Sequence, residues 1–317
     1  MNSRLDNLNR RAQLLRKLRE FFHERGFLEV ETPLLSSEVI PELHIEPPHI
    51  ESRDSTNRTA QWLQASPELH MKRLLAQGMP AIFQVTRSFR AGERGRLHNP
   101  EFTIVEWYRA GDDMHAGMVL LDDLCQTLLG TPPAIRTTYA AAFEKCVGIN
   151  PHTASCAELN ACAKQHGIAA EGIEPNDRDE WLNLLLAKKI ETRLGLEGPE
   201  LLFEYPANQA SLAKTATRAD GVEVAERFEL YWQGVELANG FYELTDAQEL
   251  RNRFNAVNKA RTADGRSALT LPESLLSAMQ SGLPDSAGCA LGFDRFAMLA
   301  VGAESIGDVM TFSENAV

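Results

Sequence analysis

An α+β fold is predicted for this chain, with a mainly antiparallel β-sheet flanked by helices. Two observations predict it. Strand-like stretches come in adjacent pairs, at 81–89 with 101–109 and again within 227–244, while helical stretches stand before, between and after them. The strand–helix–strand alternation that builds a parallel, doubly wound sheet does not occur.

The elements follow in order. Leu5, Leu8, Ala12, Leu15, Leu18 and Phe22 recur at spacings of three and four among Arg, Lys and Glu, which predicts one amphipathic helix over 4–25 that Gly26 ends. The run FLEVE is a short strand broken by Thr32-Pro33, and the polar, proline-rich 36–60 is predicted to be a loop. QWLQ is another short strand. Ser66 suits a helix N-cap, Pro67 the first helical position and Glu68 the first turn, so a helix runs from there to Gly78. Two strands at 81–89 and 101–109 are joined by the polar linker RAGERGRLHNP, too long for an idle hairpin loop. A helix covers 114–129. The stretch 131–200, rich in Ala, Cys, Glu and Asn, is predicted to be a mostly helical insertion, with helical periodicity at 157–166 and 179–194. Strands return at LLFEYP and in RFELYWQGVELANGFYEL, helices at 246–262 and 272–281, and GCALGFDRFAMLAVG is a strand entering a helix.

Composition narrows the function classes. The 317 residues allow one large domain or two ordinary ones at about 150 residues each. A net charge of −12 and no basic stripe argue against a chain whose main task is gripping nucleic acid. Cys125, Cys146, Cys156, Cys162 and Cys289 form no Cys-x-x-Cys pair, so neither a zinc site nor a redox motif is suggested, and reduced thiols are expected. The charged N-terminal stretch is no secretory signal and no apolar run is long enough to span a bilayer, so a cytoplasmic location is expected.

Three constellations carry chemistry. The linker holds Arg90, Arg94, Arg96 and His98, and guanidinium forks match phosphate oxygens. Phe102 opens the returning strand and offers a ring for a planar ligand. A solvated basic turn with Phe102 in the core would read the same way. In GCALGFDR, Gly288 and Gly292 permit close backbone approach, and Arg295 lies in the first turn of a helix, where a cation is disfavoured unless an anion joins it. The plain alternative is Asp294 as N-cap and Arg295 in a salt bridge. In VELANGFYELTD, strand alternation puts Glu236 on one face with the positions two and four along, and Glu243 follows Asn239 and Gly240. Such carboxylates suit Mg²⁺ or an ammonium group, or are exposed edge residues.

These elements, in this order, resemble the class II aminoacyl-tRNA synthetases. Motif 1 is similar to the opening helix with GFLEVETP, motif 2 to the run from Phe89 to Phe102, and motif 3 to GCALGFDR ending at Arg295. SPELHMKRL and ELANGFYELTD resemble lysyl-tRNA synthetase in particular. The likeness covers about residues 8–130 and 200–312. It implies the class II catalytic fold and the use of ATP and Mg²⁺. Arg90 would hold the α-phosphate and Arg295 the γ-phosphate, while Phe102 would stack on adenine. Ala91, Gly92, Glu93, His98, Asn99, Leu237 and Gly292 would line the nucleotide. Glu236 would bind Mg²⁺ and ATP, making Arg90, Glu236 and Arg295 the catalytic set. Ser66, Pro67, Glu68, Tyr108, Asn239, Glu243 and Ala290 would form the amino-acid pocket, with Glu68 taking the amino group and Glu243 a distal ammonium.

Two positions depart from the pattern. Gly92 stands where lysyl-tRNA synthetases place a glutamate that reads adenine, with Glu93 following it, and Ala290 stands for a glycine. Motif 1 begins almost at Met1, so one catalytic domain over 1–317 without an anticodon-binding domain is expected. In that shortened form the chain resembles the ligases that modify elongation factor P. The resemblance implies activation of (R)-β-lysine or lysine as an adenylate and transfer to the ε-amine of a lysine on elongation factor P. It also implies a homodimer, and neither stable nucleic-acid nor membrane binding. A miniature lysyl-tRNA synthetase, a catalytically inactive regulatory paralogue and an amide synthetase of the asparagine-forming type are the alternatives.

Overall fold

The computed structural model describes residues 3–53, 58–169 and 172–313. It divides into two compact units, one of 1–112 with 244–317 and one of 113–243.

The first unit opens with α1 (Arg4–Glu24), capped by Ser3 and Asp6 in a reciprocal capping box. Its buried face carries Leu14, Leu18, Phe21 and Phe22. The strand expected at FLEVE is only β1 (Leu28–Glu29), and it runs parallel to β5 (Ala81–Phe89). A parallel neighbour needs a long crossover. Part of that crossover is β2 (Leu35–Ser36), β3 (His49–Arg53) and β4 (Arg58–Leu63), a three-stranded sheet in the order β2-β4-β3. The expected loop over 36–60 is therefore corrected, apart from residues 54–57, which lie outside those described. Their described side chains, at 35–36, 49–51 and 60–63, are exposed or half-buried and give little apolar signal; Ile50 is 45% exposed.

The helix α2 (Glu68–Ala76) starts one residue later than expected. Pro67 is its N-cap in helical conformation, and the Ser66 hydroxyl accepts from the Glu68 N–H at 3.3 Å instead of capping deeper in the turn. Strands β5 and β6 (Glu101–Ala110) form the expected hairpin.

The second unit begins with α3 (Met114–Leu129), then β7 (Ile135–Thr138), α4 (Tyr139–Val147), α5 (Cys156–Gln165) and α6 (Arg178–Leu185). Three of these helices fall within 131–200, of which residues 170–171 lie outside those described. Strand β7 was not foreseen; it is four residues long, half exposed, and parallel to β8 (Glu200–Pro206). Past α6 the helix widens into a π-turn at Leu186–Ile190, which keeps Leu186 and Ile190 buried. The helices share their core with strand residues Leu202, Tyr205, Ala225 and Tyr231. Strands β9 (Thr215–Thr217), β10 (Glu223–Trp232) and β11 (Val235–Tyr242) complete the unit, in the order β11-β10-β8-β7 with β9 beside β10. The β10–β11 turn has positive φ at both Gln233 and Gly234, the geometry a two-residue hairpin requires.

The chain returns to the first unit with α7 (Ala247–Ala263), α8 (Glu273–Gly282), β12 (Ser286–Gly292) and α9 (Phe293–Val301). Strand β12 pairs antiparallel with β6, giving the order β1-β5-β6-β12. One face of this sheet packs under α1: the Phe22 ring stacks on Phe83 at 4.7 Å and meets Trp107 at 5.1 Å. No helix among the described residues is long and apolar enough to cross a membrane.

Candidate active site

The sheet face opposite α1 is the floor of a site. Register places Ile82, Gln84, Thr86 and Ser88 of β5 across from Tyr108, Glu106, Ile104 and Phe102 of β6. The same register puts Gly288, Ala290 and Gly292 of β12 against Tyr108, Glu106 and Ile104. Four expected site residues, Phe102, Tyr108, Ala290 and Gly292, thus share one face. The small residues of β12 leave room above it. The buried Gln84 Oε1, Ser88 Oγ and Ser286 Oγ have no hydrogen-bond partner. Buried polar atoms are nearly always paired, so a floor with three unmet ones is suited to a polar ligand.

Glu106 on this floor escaped the sequence reading. It is buried and accepts from the Tyr108 hydroxyl at 2.5 Å. The available signal was its place two residues before Tyr108, on the same strand face.

The arginine linker borders the floor. Arg90 donates its N–H to the Pro100 carbonyl at 2.9 Å, and Ala91 donates to the Glu46 carbonyl at 2.8 Å. The Arg90 guanidinium sits 5.0 Å from the Phe102 ring centroid and 3.7 Å from Glu93 Oε1. So Glu93 pairs with the arginine here. Gly92 has φ of +78°, a conformation a glutamate would adopt only with strain, which is a physical reason for glycine at that place. Asn99 caps the returning strand through Glu101 O at 2.6 Å. Arg96 donates to Glu304 O at 2.8 Å, anchoring the linker.

Arg295 reaches the same linker. Its Nε donates to Leu97 O at 3.1 Å and its Nη2 lies 2.7 Å from His98 Nε2. A guanidinium only donates, so His98 Nε2 accepts and the ring is neutral. Burial, then the charges of Arg295 and Arg90, against Glu93, hold His98 below the usual histidine range. The alternative of Asp294 as N-cap does not describe this turn. The N-cap is Gly292, and Asp294 is buried, accepting from Arg11 at 2.6 Å and from the Thr103 N–H at 2.7 Å. Asp294 thereby fixes the first turn of α9, from which Arg295 projects.

Glu68 lies buried at the first turn of α2. The buried Lys72, one turn later, donates to its Oε1, which fixes the Glu68 side chain at the start of the helix.

The second unit carries a carboxylate cluster of its own. A β-bulge interrupts β11: Tyr231 pairs with Glu236 and Leu230 with Ala238, leaving Leu237 extra. The simple alternation expected from Glu236 to Ala238 and Gly240 is corrected by that bulge. It shifts the parity, so Glu236 shares its face with Asn239, which pairs with Glu229, and with Phe241, which pairs with Arg227. Gly240 faces the other way, where an added Cβ would lie 2.2 Å from the Phe228 ring. Leu237 is buried, so a ligand could use only its backbone.

Glu229 is the second residue the sequence reading passed over. It is buried, accepts from Tyr231 at 2.6 Å and is also bonded by Tyr205 and Arg227. Burial, then Glu229, push both tyrosines above the usual phenol range, which keeps them as donors. Asn239 Oδ1 on this face is buried and lacks a hydrogen-bond partner. Glu229 is taken up by the tyrosines and Arg227, so Glu236 and the Asn239 amide oxygen are the hard oxygens this face offers, and they suit Mg²⁺ only where phosphate oxygens complete the shell. Glu243 is buried and pairs through a bridge with Ala213.

In the first unit, an arginine linker beside a polar floor and an aromatic ring suits a nucleotide; the carboxylate face of the second unit, taken by itself, suits a hard cation. Comparison with known proteins agrees. A family model described as tRNA synthetases class II (D, K and N) matches residues 2–316. Elongation factor P–(R)-β-lysine ligases of Salmonella dublin and Salmonella heidelberg are each 44% identical over 313 residues, covering 98% of this chain and 95% of theirs. With motif residues in matching order and a model that spans nearly every position, the chain belongs to the class II tRNA synthetase family of the D, K and N type.

Proposed function

We propose that this chain is an ATP-dependent ligase that activates (R)-β-lysine, or lysine, and transfers it to a lysine ε-amine of elongation factor P. One observation carries the reading: 44% identity to elongation factor P–(R)-β-lysine ligases that extends over 98% of the chain. A tRNA-charging or inactive relative would share the fold, but the likeness to these ligases is end to end.

In the first step a carboxylate oxygen of the amino acid attacks the α-phosphorus of ATP, and the bond to the pyrophosphate leaving group breaks. Arg90 meets the charge that develops there, Arg295 with His98 and Asn99 the outgoing phosphates, and Phe102 the adenine. Ala91, Gly92 and Glu93 form the turn beside the base, with Leu237 and Gly292 offering backbone. Fixed cations need not reorganise as charge moves, and they supply most of the acceleration. Glu236, with Glu229 beside it, would hold Mg²⁺, which neutralises phosphate charge. Glu68 takes the amino group, Glu243 the distal ammonium, and Ser66, Pro67, Tyr108, Asn239 and Ala290 shape the pocket. In the second step the ε-amine attacks the adenylate carbonyl carbon, AMP leaves, and the amine loses a proton. Leu28, Leu34 and Leu35 are exposed apolar residues near β1 and β2 that support a homodimer.

The test is mass spectrometry of elongation factor P after incubation with ATP and each lysine isomer, beside tRNA acylation. A one-lysyl mass gain on the protein, strongest with (R)-β-lysine, is expected. Acylated tRNA with unmodified protein would overturn the assignment. Arg295→Ala should nearly abolish lysine-dependent ATP–pyrophosphate exchange, and Glu243→Gln should impair substrates bearing a distal amine most.

A further inference from the structure

Arg261, in the last turn of α7, is completely buried. Burying a guanidinium is costly unless its donors are met. Here four acceptors meet them: Ser267 O at 3.1 Å, Glu42 O at 3.0 Å, Ile45 O at 3.3 Å and Glu46 Oε2 at 2.7 Å. Three of the four belong to 42–46, a segment without helix or strand whose shape depends on such bonds. Arg266 adds a bond to Leu43 O. The far end of this segment is used: the Glu46 carbonyl accepts the Ala91 N–H at 2.8 Å.

We propose that Arg261 is a positioning residue that holds the Arg90–Ala91 backbone through Glu46. Arg90 is then pinned on both sides, by its own N–H to Pro100 O and by the next N–H to Glu46 O. Only the second anchor depends on a charged group remote from the linker. A guanidinium suits this task, because its planar fork can grip several carbonyls and a carboxylate together. An ammonium would leave at least one carbonyl unmet. The consequence for catalysis rests on the reading of Arg90 as the α-phosphate contact, where a small misplacement matters greatly.

The experiment compares wild type with Arg261→Lys by ATP–pyrophosphate exchange and by amide hydrogen exchange with mass spectrometry. Expected are a KM for ATP raised about tenfold and a KM for the amino acid within about twofold. Amide exchange should quicken at 42–46 and 89–93 while the centres of β5 and β6 stay protected. Unchanged exchange at 89–93 would overturn the proposal, and so would equal loosening across β5 and β6, the mark of a merely structural role. Faster exchange at 89–93 with ATP parameters unmoved would support the strut and instead remove Arg90 from the phosphate site. Should Arg261→Lys fail to fold, Glu46→Gln keeps the carbonyl and weakens the ion pair. It should shift the same quantities in the same direction by less, and no shift in either would overturn the proposal.

Discussion

Asp294→Ala is the perturbation whose cost the structure specifies most fully. Asp294 is 3% exposed and serves two donors with two oxygens: Arg11 Nη1 at 2.6 Å on Oδ1 and the Thr103 N–H at 2.7 Å on Oδ2. Removing the carboxylate strands the buried Thr103 N–H, which costs about 1–3 kcal/mol. It also strands the Arg11 charge; breaking a buried pair costs about 3–5 kcal/mol, but the Arg11 side chain is 15% exposed and keeps its bond to Thr103 Oγ1, so the lower end applies. The two terms share one network and overlap, so about 3–5 kcal/mol in total is expected for Asp294→Ala. Asp294→Asn keeps one acceptor and should cost about 1.5–3 kcal/mol, the worth of a bond to a charged group. The assay is urea unfolding followed by circular dichroism, with the midpoint lowered and the slope m unchanged. Arg11→Met should shrink the penalty of Asp294→Asn, because the stranded cation is then absent. A loss below about 1 kcal/mol for Asp294→Ala, or an additive cycle, would refute the claim that this carboxylate fixes the first turn of α9.

Two other predictions follow from single contacts. Gly240→Ala sets a methyl 2.2 Å from the fully buried Phe228 ring and should cost about 1–3 kcal/mol in urea unfolding; a neutral result would mean that the β10–β11 packing is looser than described. His98 has a folded pKa below its unfolded value of 6.5, so the unfolded chain binds more protons between the two. Its contribution to stability rises with pH through that window, is fully present above 6.5, and is lost as pH falls toward the folded pKa. His98→Gln, neutral throughout, should flatten the fall in urea midpoint between about pH 7.5 and about pH 5.5, and an unaltered slope would contradict the neutral His98–Arg295 contact.

How far the sequence revealed the fold depended on how one-sided each element is. The spacing of α1 announced a helix but not its buried face, which holds Leu14, Leu18, Phe21 and Phe22 and leaves Leu5 72% exposed, so only Leu18 and Phe22 of the expected stripe reach the core; β5 and β6 were readable as apolar, β-branched runs, with β6 buried from 103 to 108. The described side chains of β3 and β4, at 49–51 and 60–63, are exposed or half-buried, and β7 is four residues with its first half exposed, so these strands left no apolar pattern. For the site, residue types left the arginine linker open to a solvated basic turn and Arg295 to a salt bridge, and the order of the motifs along the chain singled them out. The floor needed register. Glu106 and Glu229 read as ordinary strand carboxylates until their cross-strand partners and their donors, Tyr108 for one and Tyr205, Tyr231 and Arg227 for the other, are known.

The bulge at Leu237 shows why such a gap arises. Period-two reasoning puts Glu236 with Ala238 and Gly240, two residues with nothing to offer a ligand. One inserted residue exchanges them for Asn239 and Phe241 and aims Gly240 at the Phe228 ring. A bulge is a relation between two strands, not a property of either, so no local pattern announces it. The same holds for Arg261, whose importance lies in carbonyls more than two hundred positions away in the chain. What sequence reading supplies is the identity of the groups; what it lacks is the pairing that decides which of them face one another. Removing the inserted residue by deleting Leu237 therefore tests the argument directly. The deletion should restore strict alternation yet keep Glu236, Asn239 and Phe241 together on the Glu229 face, so the folded variant should still form adenylate. Loss of adenylate formation in a folded deletion variant would show that the bulge itself, and not only the parity it sets, serves the site.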